Sequence, residues 1–312
     1  GGIGKKANGH DGYRRMAGRR GPELGGRARP DGPQLFPDDA ACARYLEGAK
    51  WPKGFVCPHC GEKGEPFRMA TRTSVLTCRA CRKQTSLTVD TVMQRTHTPL
   101  TVWFWAAYLV SSMTPGLSAV QFQRQLGLSR YETAFQILHK LRAGMVRQGR
   151  DRIGGNLGRN DHVEIDETYI GGVTRGQGKG VHADEKTLVM AAVEVRTRPP
   201  KKGDKPTRRG GRYAGRLRLE IVPTRGAKSL TAFVQQAVEP GAMVITDAWG
   251  GYNGLKALGY DHLPVVEAND PAVAEEYLPI VHLVFSNLKA WLQGTHHGRV
   301  EPQHLQAYLN ER

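Results

Sequence analysis

The chain has 312 residues, enough for one large domain and one or two small ones, and a formal net charge of +16 from 45 Lys+Arg against 29 Asp+Glu. Such an excess repels itself in a compact fold and is usually retained for a polyanion, nucleic acid first. An anionic membrane surface is the second candidate, but no apolar run approaches the roughly 18 residues needed to cross one, and residues 102–110, the most apolar stretch, fall well short.

The chain starts with Gly-Gly rather than Met, so its natural start is expected to be missing or processed, and no signal peptide is visible. Residues 1–34 are rich in Gly, Arg and Pro and read as a disordered basic tail or as sequence upstream of the true start. Residues 35–50 are expected to form a short helix, capped by Asp38 or Asp39, with Ala41, Tyr45 and Leu46 on its apolar side; Trp51-Pro52 ends it.

The segment up to residue 98 holds Cys57-x2-Cys60 and Cys78-x2-Cys81, two knuckles 17 residues apart. Each knuckle turns tightly enough to aim two thiolates at one ion. Four thiolates form a tetrahedral Zn2+ site with no open position for water, so the metal is structural and its binding energy is folding energy. The cysteines total five. An odd count with four in metal spacing argues against a disulfide framework and for a reducing compartment. Cys42 reads as buried filler, and His59 as facing solvent or a phosphate. Arg79, Arg82 and Lys83 line the second knuckle and suit phosphate contacts. Residues 85–89 alternate and read as a strand.

An aromatic-rich helix is expected over 99–112, beginning at Pro99. Two more follow in 117–145. Val120, Phe122 and Leu126 give the first an apolar side, and Gly127 suits a left-handed turn at its end. Ser129 and Glu132 read as a capping box for the second, whose apolar residues Ala134, Ile137, Leu138 and Leu141 keep helical spacing. The pattern is that of a helix-turn-helix, with Arg130, Tyr131, Thr133 and Gln136 facing a DNA groove. A plain helical hairpin is the alternative. Residues 99–147 are thus read as a helical DNA-binding region, and 148–160, rich in Gly, Asn and Arg, as a linker and the main domain boundary.

From residue 161 the chain reads as strand (with Asp166 projecting from its end), a long apolar strand over 186–195 taken as central, and a third strand around Leu217, Leu219 and Ile221. A helix over 229–238, a short buried strand over 243–245 leading into Asp247, a short helix over 252–258 and a helix over 281–292 follow. A last helix from Pro302 stops abruptly at the end of the sequence. Three strands before the first helix, then alternation, is the pattern of a ribonuclease-H-like α/β fold.

Asp166 and Asp247 are charged groups at the ends of apolar strands, costly to hold together unless they bind a cation. If the strands are adjacent the two carboxylates share a site for Mg2+ or Mn2+, suited to activating a water or 3′-hydroxyl and stabilising a leaving oxygen at phosphorus. Caps or turns are the plainer reading of both. Glu164 and Glu167 flank Asp166, and one or two of these acids are expected to be merely solvated. Residues 196–212, with Lys201, Lys202, Arg208 and Arg209, three prolines and a single acid, form a basic insertion suited to holding DNA.

The blocks DHVEIDETYIGG, VITDAWGGYNGL and VHLVFSNLKAWLQGTHHG, with the cysteine block WPKGFVCPHCG…LTCRACRKQTSLTVDTVM, resemble in order the ISXO2-like, IS1595-type insertion-sequence transposases and their N-terminal zinc ribbon, over roughly residues 35–312. The resemblance implies a ribonuclease-H-like core using two Asp and a third Glu or Asn on a late helix. Asp166 and Asp247 match the first two. Asn287 is the third by this resemblance, and His282, 35 positions after Asp247 and seven before Lys289, is its rival. Lys289 is implied as a DNA contact near the cleavage site, and His296 and His297 as contacts or turn residues. The implied partners are double-stranded DNA, as terminal inverted repeats and target, and further copies of the chain; no membrane is implied. The implied location is the cytoplasm of a bacterium or archaeon, on DNA. Family members usually continue further than residue 312. Two other functions are weighed: a DNA-binding relic without catalysis, and a metal-dependent nuclease that cuts without joining.

Overall fold

The computed structural model describes residues 36–113, 116–146, 149–171, 186–199, 203, 210–266, 273, 276–296 and 300–311. They fall into two compact units, one ending at Gly144 and one beginning at Met145.

The first unit starts with helix α1 (Asp39–Lys50), where Asp38 is the cap and its side chain accepts from Ala41 N at 2.7 Å. Asp39 does a different job: its Oδ1 accepts from Thr101 N and Thr101 Oγ1, both at 2.9 Å, and so pins α1 to the chain at Thr101. The first cysteine knuckle lies within an isolated bridge between Val56 and Lys63, the second between β2 and β3 of an antiparallel sheet of β1 (Phe67–Met69), β2 (Arg72–Thr77) and β3 (Gln84–Ser86), and helices α2 (Leu100–Ser112), α3 (Ala119–Leu126) and α4 (Tyr131–Gly144) follow. Cys42, Phe55, Leu76, Trp103, Phe122 and Leu138 share one core, so the helices pack on the ribbon.

Two local expectations change here. The strand over 85–89 stops at Ser86, because the Ser86 and Thr88 hydroxyls bond each other at 2.9 Å and Leu87 turns inward. The capping box belongs to α3: Ser118 Oγ accepts from Gln121 N at 3.3 Å, and the Gln121 side chain accepts from Ser118 N. Helix α4 begins only at Tyr131, two residues beyond Ser129. Gly127 ends α3 with φ 64, the left-handed turn its lack of a Cβ permits.

The second unit is a five-stranded sheet in the order β6-β5-β4-β7-β8, made of β4 (His162–Ile170), β5 (Thr187–Thr197), β6 (Arg212–Ile221), β7 (Met243–Asp247) and β8 (Asp261–Val265). The first three strands are antiparallel; β7 and β8 run parallel to β4. Helix α5 (Ala227–Ala237) covers one face; α6 (Pro279–His296) and α7 (Pro302–Leu309) cover the other. Val189, Ala191, Val193 and Val195 point to the α6 side and Leu188, Met190 and Ala192 to the α5 side, which is why β5 reads as an unbroken apolar run.

The central strand is β4, not β5. Strand β8 escapes a sequence reading because Pro264 interrupts it; a proline is tolerated there because β8 is the sheet edge. The helix expected over 252–258 is a 3₁₀ turn, Gly250–Tyr252, followed by further turns that bury Tyr252 and Leu255. The expected linker is docked in part: Ile153 is fully buried, donates to Ala237 O and accepts from Glu239 N, both at 2.8 Å. Its neighbour Gly154 N donates at 2.8 Å to Glu194, a fully buried carboxylate on β5 that also takes Arg216 Nη2 at 2.8 Å and Arg196 Nη2 at 3.1 Å. Among the described residues, no helix is long and apolar enough to cross a membrane.

Candidate functional site

The two cysteine knuckles are built alike. Gly61 N donates to Cys57 O at 2.9 Å and Arg82 N to Cys78 O at 3.1 Å, and each of these donors takes a left-handed backbone, φ 74 and φ 60. The turns bring all four sulfurs within 4.8 Å of one another. Cys57 Sγ lies 3.7 Å from Cys81 Sγ, and Cys60 Sγ 3.7 Å from Cys78 Sγ. A tetrahedron with Zn–S bonds of about 2.3 Å has edges of about 3.8 Å, whereas a disulfide needs about 2.05 Å. The cluster therefore supports a structural Zn2+ site. Cys42 lies outside the cluster, fully buried.

Around this unit Arg79, Arg82, Lys83, Arg130, Tyr131 and Gln136 are all exposed. His59 is exposed with its Nε2 3.3 Å from Gln84 O. Lys201, Lys202, Arg208 and Arg209 lie outside the described residues, in the connection between β5 and β6.

The second constellation forms where β7 ends and β4 runs on. Parallel pairing sets Val163 opposite Val244 and Glu164 opposite Ile245. Two residues further along both strands, Asp166 comes level with Asp247. Asp166 is thus mid-strand in β4 rather than at its end; the short β7 is what ends beside it. Glu164 lies on the α6 side, as does Ile245, and alternation carries Asp166 and Asp247 to that same face.

Neither flanking acid is solvated. Glu164 is fully buried and its Oε2 accepts from Ile280 N at 2.8 Å and Val281 N at 2.7 Å, the open N–H groups of the first turn of α6. Glu167 faces the other way, with Arg225 Nε donating to one oxygen and the Tyr252 hydroxyl to the other. Burial first, then the Glu167 charge, pushes the Tyr252 hydroxyl up, so it stays a donor.

Arg225, in the turn between β6 and α5, also donates from Nη2 to Asp247 Oδ2 at 3.2 Å, while Trp249 N donates to Asp247 Oδ1 at 3.2 Å. Burial and the Glu167 charge push Asp247 up to about 6, with Asp166 adding to the rise and the Trp249 N–H and Arg225 opposing it. Asp166, Glu167 and Asp247 each bring one oxygen within 4.8 Å of the others. Three clustered acids, two of them on the one Arg225 guanidinium, leave excess negative charge on hard oxygen donors, which fits a cation such as Mg2+ or Mn2+.

On α6, His282 Nε2 stands 3.3 Å from Asp166 Oδ2. Asn287 is exposed and, five residues on, points roughly 140° away around the helix axis. Lys289 is exposed and, seven residues on, returns to within about 20° of His282. The residues a sequence reading misses are Glu167, Arg225, Trp249 and Tyr252. The last two sit in VITDAWGGYNGL beside Asp247, where their nearness was legible; Arg225 has no local pattern to mark it.

A family model described as ISXO2-like transposase domain matches residues 158–312, and one described as transposase zinc-ribbon domain matches residues 37–84. No curated protein matches the chain. The two matched stretches contain the acid constellation and the cysteine cluster respectively, in the order the sequence blocks imply. The chain therefore carries an ISXO2-like transposase domain of the IS1595 type, with an IS1595-type transposase zinc-ribbon domain ahead of it.

Proposed function

We propose that this chain is a metal-dependent transposase that binds the terminal inverted repeats of an insertion sequence, cuts the DNA there and joins it to a target, acting as a homo-oligomer on two element ends in the cytoplasm of a bacterium or archaeon. The sheet order, with three antiparallel strands continued by two parallel ones and helices on both faces, supports a ribonuclease-H-like core. The observation that carries the reading is the level placement of Asp166 and Asp247 on adjacent strands with oxygens within 4.8 Å.

Asp166 and Asp247 would hold Mg2+ or Mn2+, which when bound supplies Lewis acidity at phosphorus and activates a water or 3′-hydroxyl. Glu167 already accepts at both oxygens, from Arg225 and Tyr252, so its role is to fix Arg225. His282, beside Asp166, is the better-placed third ligand, and Asn287 the alternative. Lys289, on the His282 face, is positioned to meet a phosphate. Arg79, Arg82 and Lys83 on the ribbon, Arg130, Tyr131 and Gln136 on α4, and the basic β5–β6 connection with Lys201, Lys202, Arg208 and Arg209 supply DNA contacts in this reading.

A second reading is favoured by one observation: α6 contains no Asp or Glu, so this late helix offers no carboxylate as a third ligand. A DNA-binding protein without catalysis would tolerate that. Incubating the full chain with labelled repeat ends, target DNA and Mg2+ separates the possibilities. Joined products support the transposase, cleavage without joining a nuclease, and binding alone the non-catalytic reading. If Asp247→Asn still cuts, the assignment of the metal site is wrong.

A further inference from the structure

Trp249 is 45% exposed, yet its indole is held from several sides. Its backbone N–H donates to Asp247 Oδ1 at 3.2 Å, its Nε1–H donates to Arg225 O at 3.1 Å, and the Arg225 guanidinium lies 4.4 Å from its ring centroid. Arg225 is itself tied to Glu167 and Asp247. Gly251 completes the seat: a Cβ there would come within 3.0 Å of Trp249 Cδ1, 3.1 Å of Nε1 and 2.7 Å of Leu230 Cδ1. Tyr252, three residues along, is fully buried, so the local fold has room for an aromatic ring in its core and still leaves this one out.

Because the ring is already held in place, its ordering cost is met before a ligand arrives. Two residues away lies Asp247, whose carboxylate is tied to this residue by the Trp249 N–H and by Arg225, which stacks on the ring. We infer that Trp249, seated by Arg225 and Gly251, is a stacking platform for a nucleobase that leaves the duplex beside the scissile phosphate. This rests on reading the Asp166–Asp247 pair as a DNA site. Stacking is tolerant of base identity, because every base has a π face, so the platform selects an unpaired base rather than a sequence. Opening a pair costs least where it is frayed or mismatched, so the platform favours opened ends.

The test uses the full chain and a short duplex carrying a one-nucleotide 2-aminopurine overhang, against the same duplex blunt. The wild type should prefer the overhang by roughly tenfold and quench its fluorescence. Trp249→Phe should keep most of both. Trp249→Ala should lose both while binding the blunt duplex as before. Trp249→Leu, which keeps apolar cover over Arg225 without a π face, should behave like the alanine variant. If the leucine variant keeps the preference, or the wild type shows none, the indole is only a cover and the inference falls. Strand transfer is scored separately. Base stacking without any DNA joining sinks the transposase reading alone; joining by a wild type without the overhang preference sinks this inference alone.

Discussion

Glu164 and Val281 are joined by a 2.7 Å hydrogen bond from the backbone N–H of Val281 to Glu164 Oε2, a fully buried carboxylate on the central strand capping the first turn of a helix. Ile280 N donates to the same oxygen at 2.8 Å, and His282, the residue after Val281, faces Asp166 at 3.3 Å. Glu164 and Asp166 are two apart on β4 and share a face, so one strand fixes both the start of α6 and the acid that its first turn meets. Glu164→Ala should leave two buried donors unpaired and cost the second unit roughly 2–4 kcal/mol. Glu164→Gln should lower melting temperature less, yet still weaken Mn2+ binding, because the neutral amide holds the positive helix end less firmly. Calorimetry for the metal and a melting curve for the fold check this pair. Unchanged Mn2+ affinity in both variants would detach Glu164 from the site.

The Glu194 carboxylate gives the second unit a specific acid limb. Burial alone would raise it, but Arg216, Gly154 N and Arg196 hold it at about 2 against an ordinary 4.5. A depressed carboxylate contributes stability that is present above pH 4.5 and is lost as pH falls through 2. The size is about 3.5 kcal/mol at most, by the rule of about 1.4 kcal/mol for each pKa unit. Glu194→Gln should therefore melt lower at neutral pH and show a flatter profile between those limits. A parallel downward slope in wild type and variant would assign the acid limb to other groups.

Removing the metal from the cysteine cluster should unfold more than the ribbon. Cys57 and Cys78 are buried in the same core as Trp103, Phe122 and Leu138, residues of α2, α3 and α4. Structural zinc contributes on the order of 10 kcal/mol, comparable with the whole stability of a small domain. Chelation should raise hydrogen exchange in α2–α4 along with the ribbon, and leave β4–β8 protected. Persistent protection of α2–α4 after chelation would show that the helices stand without the metal.

What the sequence makes legible follows the range of the interactions involved. The cysteine site is local: x2 spacing forces the turn, and the residue after each second cysteine takes the left-handed backbone at Gly61 and Arg82. Asp166 and Asp247 are legible because each follows apolar alternation, although only the β4–β7 register makes them neighbours. The Glu167–Arg225 pair is 58 residues apart in sequence with no pattern at either end. Strand β8 is hidden by Pro264, and the orientation of α6 depends on where Glu164 caps it, a contact 117 residues long. Solvated acids were the natural expectation for Glu164 and Glu167 because the donors that bury them come from distant segments.

Arg82 is a non-glycine residue at φ 60 where the equivalent knuckle position is Gly61 at φ 74. The left-handed backbone costs a residue with a Cβ about 1–2 kcal/mol. Arg82→Gly should therefore stabilise the zinc-bound first unit by up to about 1 kcal/mol, after the greater freedom of glycine in the unfolded chain is offset. If Arg82 meets a phosphate, the same change should weaken duplex binding and reduce the salt dependence of log affinity by roughly one phosphate contact. Greater stability with unchanged DNA binding would take Arg82 out of the interface.

The third ligand is decided by comparing His282 with Asn287 in one assay. His282 lies in the first turn of α6 beside Asp166, and Asn287 is exposed roughly 140° further round the helix. His282→Ala should weaken Mn2+ binding by about tenfold to a hundredfold, the usual consequence of losing a ligand or its close support. Asn287→Ala should change it by less than about twofold. His282→Glu places a hard oxygen where imidazole stands and should shift preference from Mn2+ toward Mg2+. Titration calorimetry of the full chain reads all three without requiring turnover. A large loss in Asn287→Ala with none in His282→Ala would move the ligand five residues along the helix, and would require α6 to rotate by more than a third of a turn when the metal binds.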